Sequence, residues 1–226
     1  MSNDTSERQG AVAGIVFAIL IVVGFGILIP KPPDTDASAA TFATYYVDHQ
    51  NAIRAGLTVV GIGIFFYLWF LGSLRSTLAA AEGGAGRLAS VAYGAGLVGA
   101  AFFIVGLTAG ETAAFRPDQV SPDVTRAFSD FFIVLGAPAA TVFAAFFAAI
   151  ALVGYRHGAF PGWANGLSAL GAIGALPAIG TSLTTTGAFS GDGVLGLFVP
   201  VITFVVALVA ISVAMLRSPQ PSGPPT

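Results

Sequence analysis

The chain contains no cysteine, and that absence removes disulfides, iron–sulfur clusters, thiolate zinc sites and cysteine nucleophiles together. Histidine is almost as scarce. His49 and His157 are the only two, which leaves little for haem or metal ligation. Charged residues make up 9% of the chain, the formal net charge is −2, and no block of Lys or Arg exists, so nucleic acid is not an expected partner. There is no Gly-x-Ser-x-Gly elbow, no Walker lysine loop and no His-Glu-x-x-His. No catalytic residue, metal ligand or cofactor is therefore expected.

What the chain has instead is apolar length. Hydrophobic residues are 55% of the total and the mean hydropathy is +0.85, well above the balance of a soluble domain. Six apolar segments stand out, at about 11–29, 52–72, 88–110, 131–155, 163–184 and 194–216. Helix is the expectation for each, because lipid offers the backbone no hydrogen-bond partners, and the alternation of a transmembrane β-strand is absent. The predicted fold is all-α: a polytopic transmembrane bundle of six spans over residues 11–217, with an N-terminal tail at 1–10 and a Pro-rich, disordered tail at 218–226. The first apolar run exceeds the roughly 7–15 residues of a signal-peptide core, so a retained helix is expected rather than a cleaved leader.

Charges bracket these segments. Arg54 to Arg75 covers about 31 Å of helix, Arg87 to Glu111 about 36 Å and Asp130 to Arg156 about 39 Å at 1.5 Å per residue. These lengths suit a hydrocarbon core of roughly 30 Å crossed with modest tilt. If the N-terminus is cytoplasmic, Arg8, Arg75, Arg87, Arg156 and Arg217 lie inside, against Lys31, Arg54, Arg116 and Arg126 outside. By the positive-inside rule both termini are expected in the cytoplasm, in a bacterial inner membrane. No Asp, Glu, Lys, Arg or His falls near a predicted span centre, which argues against a proton-coupled pump or a voltage sensor.

Between the first two spans, "DASAATFATYYVDHQ" predicts a short interfacial helix with Ser38 as N-cap. Its Phe42, Tyr45 and Tyr46 form one aromatic face, placed at headgroup level. The glycines of "GGAGR" end one helix and turn into the next, and the stretch lacks the strand and Lys-Ser/Thr of a phosphate-binding loop. "SGDG" reads as a tight turn with too few oxygen ligands for calcium. Pro138, Pro177 and Pro200 each interrupt a predicted helix, whereas the first three spans have no internal proline.

Two sets of residues carry what functional signal there is. Gly10, Gly14, Gly106, Gly110, Gly171 and Gly174 have the small-residue spacing that lets helices approach closely, within one bundle or at a dimer face. In "TSLTTTG", Thr181, Thr184 and Thr185 are predicted on one helical face near the outer end of the fifth span. His49, Arg54, Glu111 and Asp130 belong to the same membrane level. Together the seven are a candidate outer polar pocket for a headgroup or small solute. A carboxylate beside His49, from Asp48 or Glu111, would be the minimum for acid–base chemistry. The competing reading is a collar of helix-end charges, as "YYVDHQNAIRAG" at 45–56 would provide at the mouth of the second span.

The stretch "FLGSLRSTLAAAEGGAGRLASVAYGAG", residues 70–96, together with the Tyr-Asp approach to Arg54, resembles a group of uncharacterised actinobacterial integral membrane proteins. It is also loosely similar to a broader bacterial family of six-helix domains of unknown function. The resemblance implies an inner-membrane protein and brings no substrate, cofactor or catalytic residue. The leading expectation is a non-enzymatic accessory or scaffold protein whose partners are the lipid bilayer and another membrane protein or a second copy of itself. The alternative is a small-solute or lipid transporter or binding protein using the outer pocket. An intramembrane enzyme is the third reading.

Overall fold

The computed structural model describes residues 3–217, with side chains from Arg8 onward, so the Pro-rich tail lies outside the described residues. Among these residues all regular structure is helical: α1 (Asn3–Ile21), continued by a π-helical stretch (Val22–Leu28), α2 (Ala39–Asp48), α3 (Gln50–Glu82), α4 (Arg87–Phe115), α5 (Pro122–Val134), α6 (Gly136–His157), α7 (Gly162–Ala175), continued by a 3-10 stretch (Leu176–Ser182), and α8 (Val199–Arg217), preceded by a π-helical stretch (Val194–Phe198).

Six of these helices form a closed ring in the order α1, α3, α4, α6, α7, α8, with α8 packed back on α1. Every neighbour runs antiparallel. Gly10 packs on Ser73 and Gly24 on Val60 between α1 and α3; Gly96 meets Leu71 and Gly110 meets Leu57 between α3 and α4; Gly171 meets Ala207 and Gly174 meets Thr203 between α7 and α8. The interior is filled by interlocking aromatic rings. Phe17 lies 4.7 Å from Tyr67 and 5.8 Å from Phe103, and Phe143 lies 4.9 Å from Phe204, which in turn meets Phe147 at 5.6 Å. Phe17, Tyr67, Phe146 and Phe147 are wholly buried.

The outward faces are apolar as well, with Ile27, Ile62, Phe65, Trp69, Ile173, Leu183, Val194 and Ile202 among the exposed side chains. Exposing such residues all round a bundle is disfavoured in water and natural in lipid. Five helices are long and apolar enough to cross a membrane: Arg8–Leu28, Gln50–Glu82, Arg87–Phe115, Pro122–His157 and Val194–Arg217. The segment expected as the fifth of six spans departs from this: its α-helix stops at Ala175, and Leu176–Ser182 tightens to 3-10 geometry.

Proline accounts for three of the irregularities. A proline at position i lacks an N–H and clashes with the carbonyl at i−4. Pro138 thus acts on Val134, where α5 ends and α6 begins; Pro177 acts on Ile173, just before the 3-10 stretch; Pro200 acts on Gly196, inside the π-helical stretch. The fourth has no proline. In α1 the wider π turn is closed by Ile29 N–H donating to the Gly24 carbonyl at 3.2 Å, where Gly24 and Gly56 bring the backbones of α1 and α3 together.

Two connections turn tightly at one end of the bundle, here the hairpin end. Gly83, Gly84 and Gly86 all have positive φ, a region glycine enters freely. The Glu82 carboxylate accepts from the backbone N–H groups of Leu88 and Ala89, both at 2.9 Å. Two of the α4 N-terminal amides, which have no carbonyl partner within the helix, are therefore capped by the chain's own carboxylate.

Candidate functional site: the charged end of the bundle

The end opposite the hairpins carries the seven residues singled out as a pocket. At the α2–α3 junction, His49 N–H donates to the Tyr45 carbonyl at 3.0 Å and its own carbonyl accepts from Ile53 N–H, so one residue ends α2 and starts α3. Its ring rests on the edge of Tyr45, 5.2 Å between centroids. One turn on, Arg54 Nε stands 3.8 Å from a Glu111 carboxylate oxygen, and its guanidinium lies 5.5 Å from the centre of the Phe115 ring. The Gln50 amide donates to the carbonyls of Ala114 and Phe115 at 3.0 and 3.1 Å. The first turn of α3 is thereby stapled to the last turn of α4, whose terminal carbonyls have no partner in their own helix.

Asp130 belongs to a different cluster. It pairs with Arg126 one turn earlier on α5, at 2.8 Å. Arg126 also donates to the carbonyls of Thr35 and Ala37 and lies over the Phe42 ring, 4.4 Å from its centre. One guanidinium thus ties α5 to the loop before α2 and to α2 itself. From the other side, Thr35 and Ser190 each donate a hydroxyl hydrogen bond of 2.6 Å to Asp192, joining that loop to residues 187–193. Burial pushes the Asp192 carboxyl up, but these hydrogen bonds outweigh it and hold the group below the usual carboxylate range.

The threonines are placed apart again. Thr181 is buried against Gly136 and donates to the Ala178 carbonyl. Thr184 bonds within its own turn to the Thr186 carbonyl, and Thr185 is exposed outside any helix. The expected shared helical face is not there, because the chain leaves helical geometry after Ser182. Of the seven, only Arg54 and Glu111 meet. Among the described residues His49 makes no ion pair, and Asp130 faces Arg126 rather than Arg54.

A second expectation is also revised. The aromatic face of α2 turns inward, not toward headgroups: Phe42 and Tyr46 are buried, and the Tyr45 hydroxyl donates to the Pro30 carbonyl at 2.7 Å. Burial, with Tyr46 alongside, holds the Tyr45 phenol well above its ordinary range; Tyr46 is raised by burial despite a hydrogen bond with Ser129. On α5 the partners are Arg126, which lies over the Phe42 ring, and Ser129, which meets Tyr46, and burying two rings there is worth more than leaving them half wet.

The six glycines all lie at contacts inside the bundle. Gly10 meets Ser73, Gly14 meets Ser212 and Phe70, Gly106 meets Phe132 and Leu135, Gly110 meets Leu57, Gly171 meets Ala207 and Phe147, and Gly174 meets Thr203. Residues that sequence reasoning passed over include Arg126, Thr35 and Asp192. A signal existed for the first: Arg126 and Asp130 stand at i and i+4 on a helix opened by Ser121-Pro122.

A closed ring of antiparallel helices, apolar outside as well as in, with its charges gathered at the ends, is a membrane-type helical bundle. Comparison with protein-family models, with curated proteins and with solved structures finds no match.

Proposed function

We propose that the chain is a six-span protein of the bacterial inner membrane with both termini in the cytoplasm, acting without catalysis as an accessory or scaffold for other membrane components. The observation that carries this reading is the packed aromatic interior around Phe17, Tyr67, Phe103, Phe143 and Phe204, at the place where a transporter needs its central site. The sixth span is α7 with its 3-10 extension, about 35 Å long at 1.5 and 2.0 Å per residue, enough to cross the hydrocarbon core. In this arrangement α2 and α5 lie over the outer end of the ring. The charged clusters there are structural ties, since Arg54, Arg126, Asp130 and Asp192 are each held by protein groups.

The absence of cysteine makes the test direct. Ala100→Cys and Ala207→Cys place small thiols at buried positions inside the ring. In native membranes neither is expected to react with a water-soluble, membrane-impermeant thiol reagent. Reaction at either would mean a water path through the bundle and would replace the scaffold by a transporter. Ser38→Cys labelled from outside intact cells, with Ala81→Cys labelled only after lysis, is the outcome expected for the orientation.

A further inference from the structure

We infer that the outer face of α7 and α8 holds a seat for one phospholipid with an anionic headgroup, in the leaflet at the hairpin end. The inference rests on the membrane reading above and adds a ligand class to it. An open groove of about 660 Å³ runs between the two helices, lined by Trp163, Leu167, Val205, Val206, Val209 and Arg217 among others. Its walls are almost wholly apolar apart from one end, where Arg217 closes α8 and Trp163 opens α7. Short β-branched side chains on α8 make the trough, and the larger Trp163 and Leu167 wall it on the α7 side.

Length and charge select the occupant. From Val205 to Arg217 the groove extends roughly 18 Å along α8, a little over half of a 30 Å hydrocarbon core, which is the depth of one leaflet. A chain lying in it from the bilayer middle would bring its headgroup to Arg217, with the indole of Trp163 at the interfacial level where tryptophan is favoured. Among the described residues Arg217 has no ion pair. A second copy of the chain would have to supply both an acyl-shaped ridge and a carboxylate at one end; a phospholipid carries both features in one molecule.

The test uses the full chain, first shown to stay with alkali-washed membranes. Release by alkali would sink the membrane reading itself and leave the lipid question without a subject. Protein purified in a mild detergent is then titrated with phosphatidylglycerol or phosphatidylcholine and bound lipid is counted by native mass spectrometry. Wild type is expected to retain one phosphatidylglycerol in preference to phosphatidylcholine. Arg217→Ala is expected to lower phosphatidylglycerol affinity by about fivefold, the effect of one basic residue at an anionic surface, to the level of phosphatidylcholine. Val206→Trp fills the trough and is expected to weaken both lipids, whereas Arg75→Ala, which removes a cation stacked on Tyr93 at the same end, leaves the preference intact. Equal binding of the two lipids by wild type, or an unchanged preference in Arg217→Ala, overturns the proposal. So does a dimer that Val206→Trp dissolves, because the groove is then an interface between copies.

Discussion

At the hairpin end, α3 turns into α4 through residues 83–86 and α6 into α7 through residues 158–161; at the opposite end the connections run through 29–49, 116–135 and 183–193. The helices differ in the same sense. Near the hairpins they are regular α-helix with close contacts, while α1, α7 and α8 all leave α geometry toward the other end. Short turns hold helix pairs in register by themselves. Long connections must be tied, and here Arg126, Asp192, Gln50 and the Tyr45 hydroxyl do the tying. One end is held by packing, the other by polar cross-links between loops, and the two should fail under different substitutions.

The largest expected effect is at the hairpin end. Asn165 is buried, donates to the Phe160 carbonyl at 3.0 Å and lies directly over Gly154, where any Cβ would collide with its amide. Gly154→Val is expected to lower stability by about 3 kcal/mol, the upper range for overpacking, read as thermal unfolding in detergent. Pairing it with Asn165→Ala should restore part of the loss. The counterpart at the charged end is Arg126→Met, which leaves the carbonyls of Thr35 and Ala37 without their donor and Asp130 without its cation. A loss of about 2 kcal/mol is expected. Faster amide exchange should be confined to α2, α5 and residues 29–38, with the α3–α4 hairpin unchanged. Loosening of both ends together would erase the distinction.

The hairpin end was far more legible in the sequence than the charged end. Gly83, Gly84 and Gly86 announce a turn because local backbone conformation alone demands glycine there. The hydroxyls of Ser90, Thr108 and Ser168 bond to carbonyls four residues back, as local chemistry predicts. Proline likewise marks where α6, α7 and α8 break. The charged end depends on residues far apart in the chain: Thr35 with Asp192, Arg126 with Ala37, Arg54 with Glu111. Periodicity reports which face of a helix is apolar and cannot report which loops meet. It therefore grouped by membrane level seven residues that the fold divides among separate clusters. The π turn in α1 was hidden for a related reason, since it sits where Gly24 crosses Gly56 of another helix.

Between the two ends, Tyr67 sharpens what packing alone supplies. It is fully buried among Phe17, Phe70 and Phe146, and among the described residues its hydroxyl has no hydrogen-bond partner. Tyr67→Phe removes an unsatisfied group without opening a cavity, so stability should rise by about 1 kcal/mol. A fall would mean that the hydroxyl is satisfied by a bound water. Smaller again is the pH response of the charged end. Because Asp192 is held below its ordinary value of 3.8, its contribution is fully present above that value and is lost as pH falls through the depressed one. Amide exchange in residues 29–38 and 187–193 should quicken across that acid range in wild type. Asp192→Asn should show a flatter response there.

The smallest expected effect falls on the pair that sequence reasoning placed nearest to a site. Arg54 and Glu111 stand 3.8 Å apart with side chains 44% and 32% exposed, and exposed pairs of that kind contribute about 0–1 kcal/mol. The staple between α3 and α4 does not depend on the charge alone, since Gln50 still holds the last carbonyls of α4 and Arg54 still lies over Phe115. Glu111→Gln is therefore expected to lower stability by no more than about 0.5 kcal/mol, with similar exchange rates along both helices. A double-mutant cycle with Arg54→Gln gives the coupling directly. A coupling several times larger would mean that lipid, not water, surrounds the pair. The carboxylate would then be an intramembrane charge of the kind that marks ion and proton paths, and the charged end would have to be read as a working site rather than a set of ties.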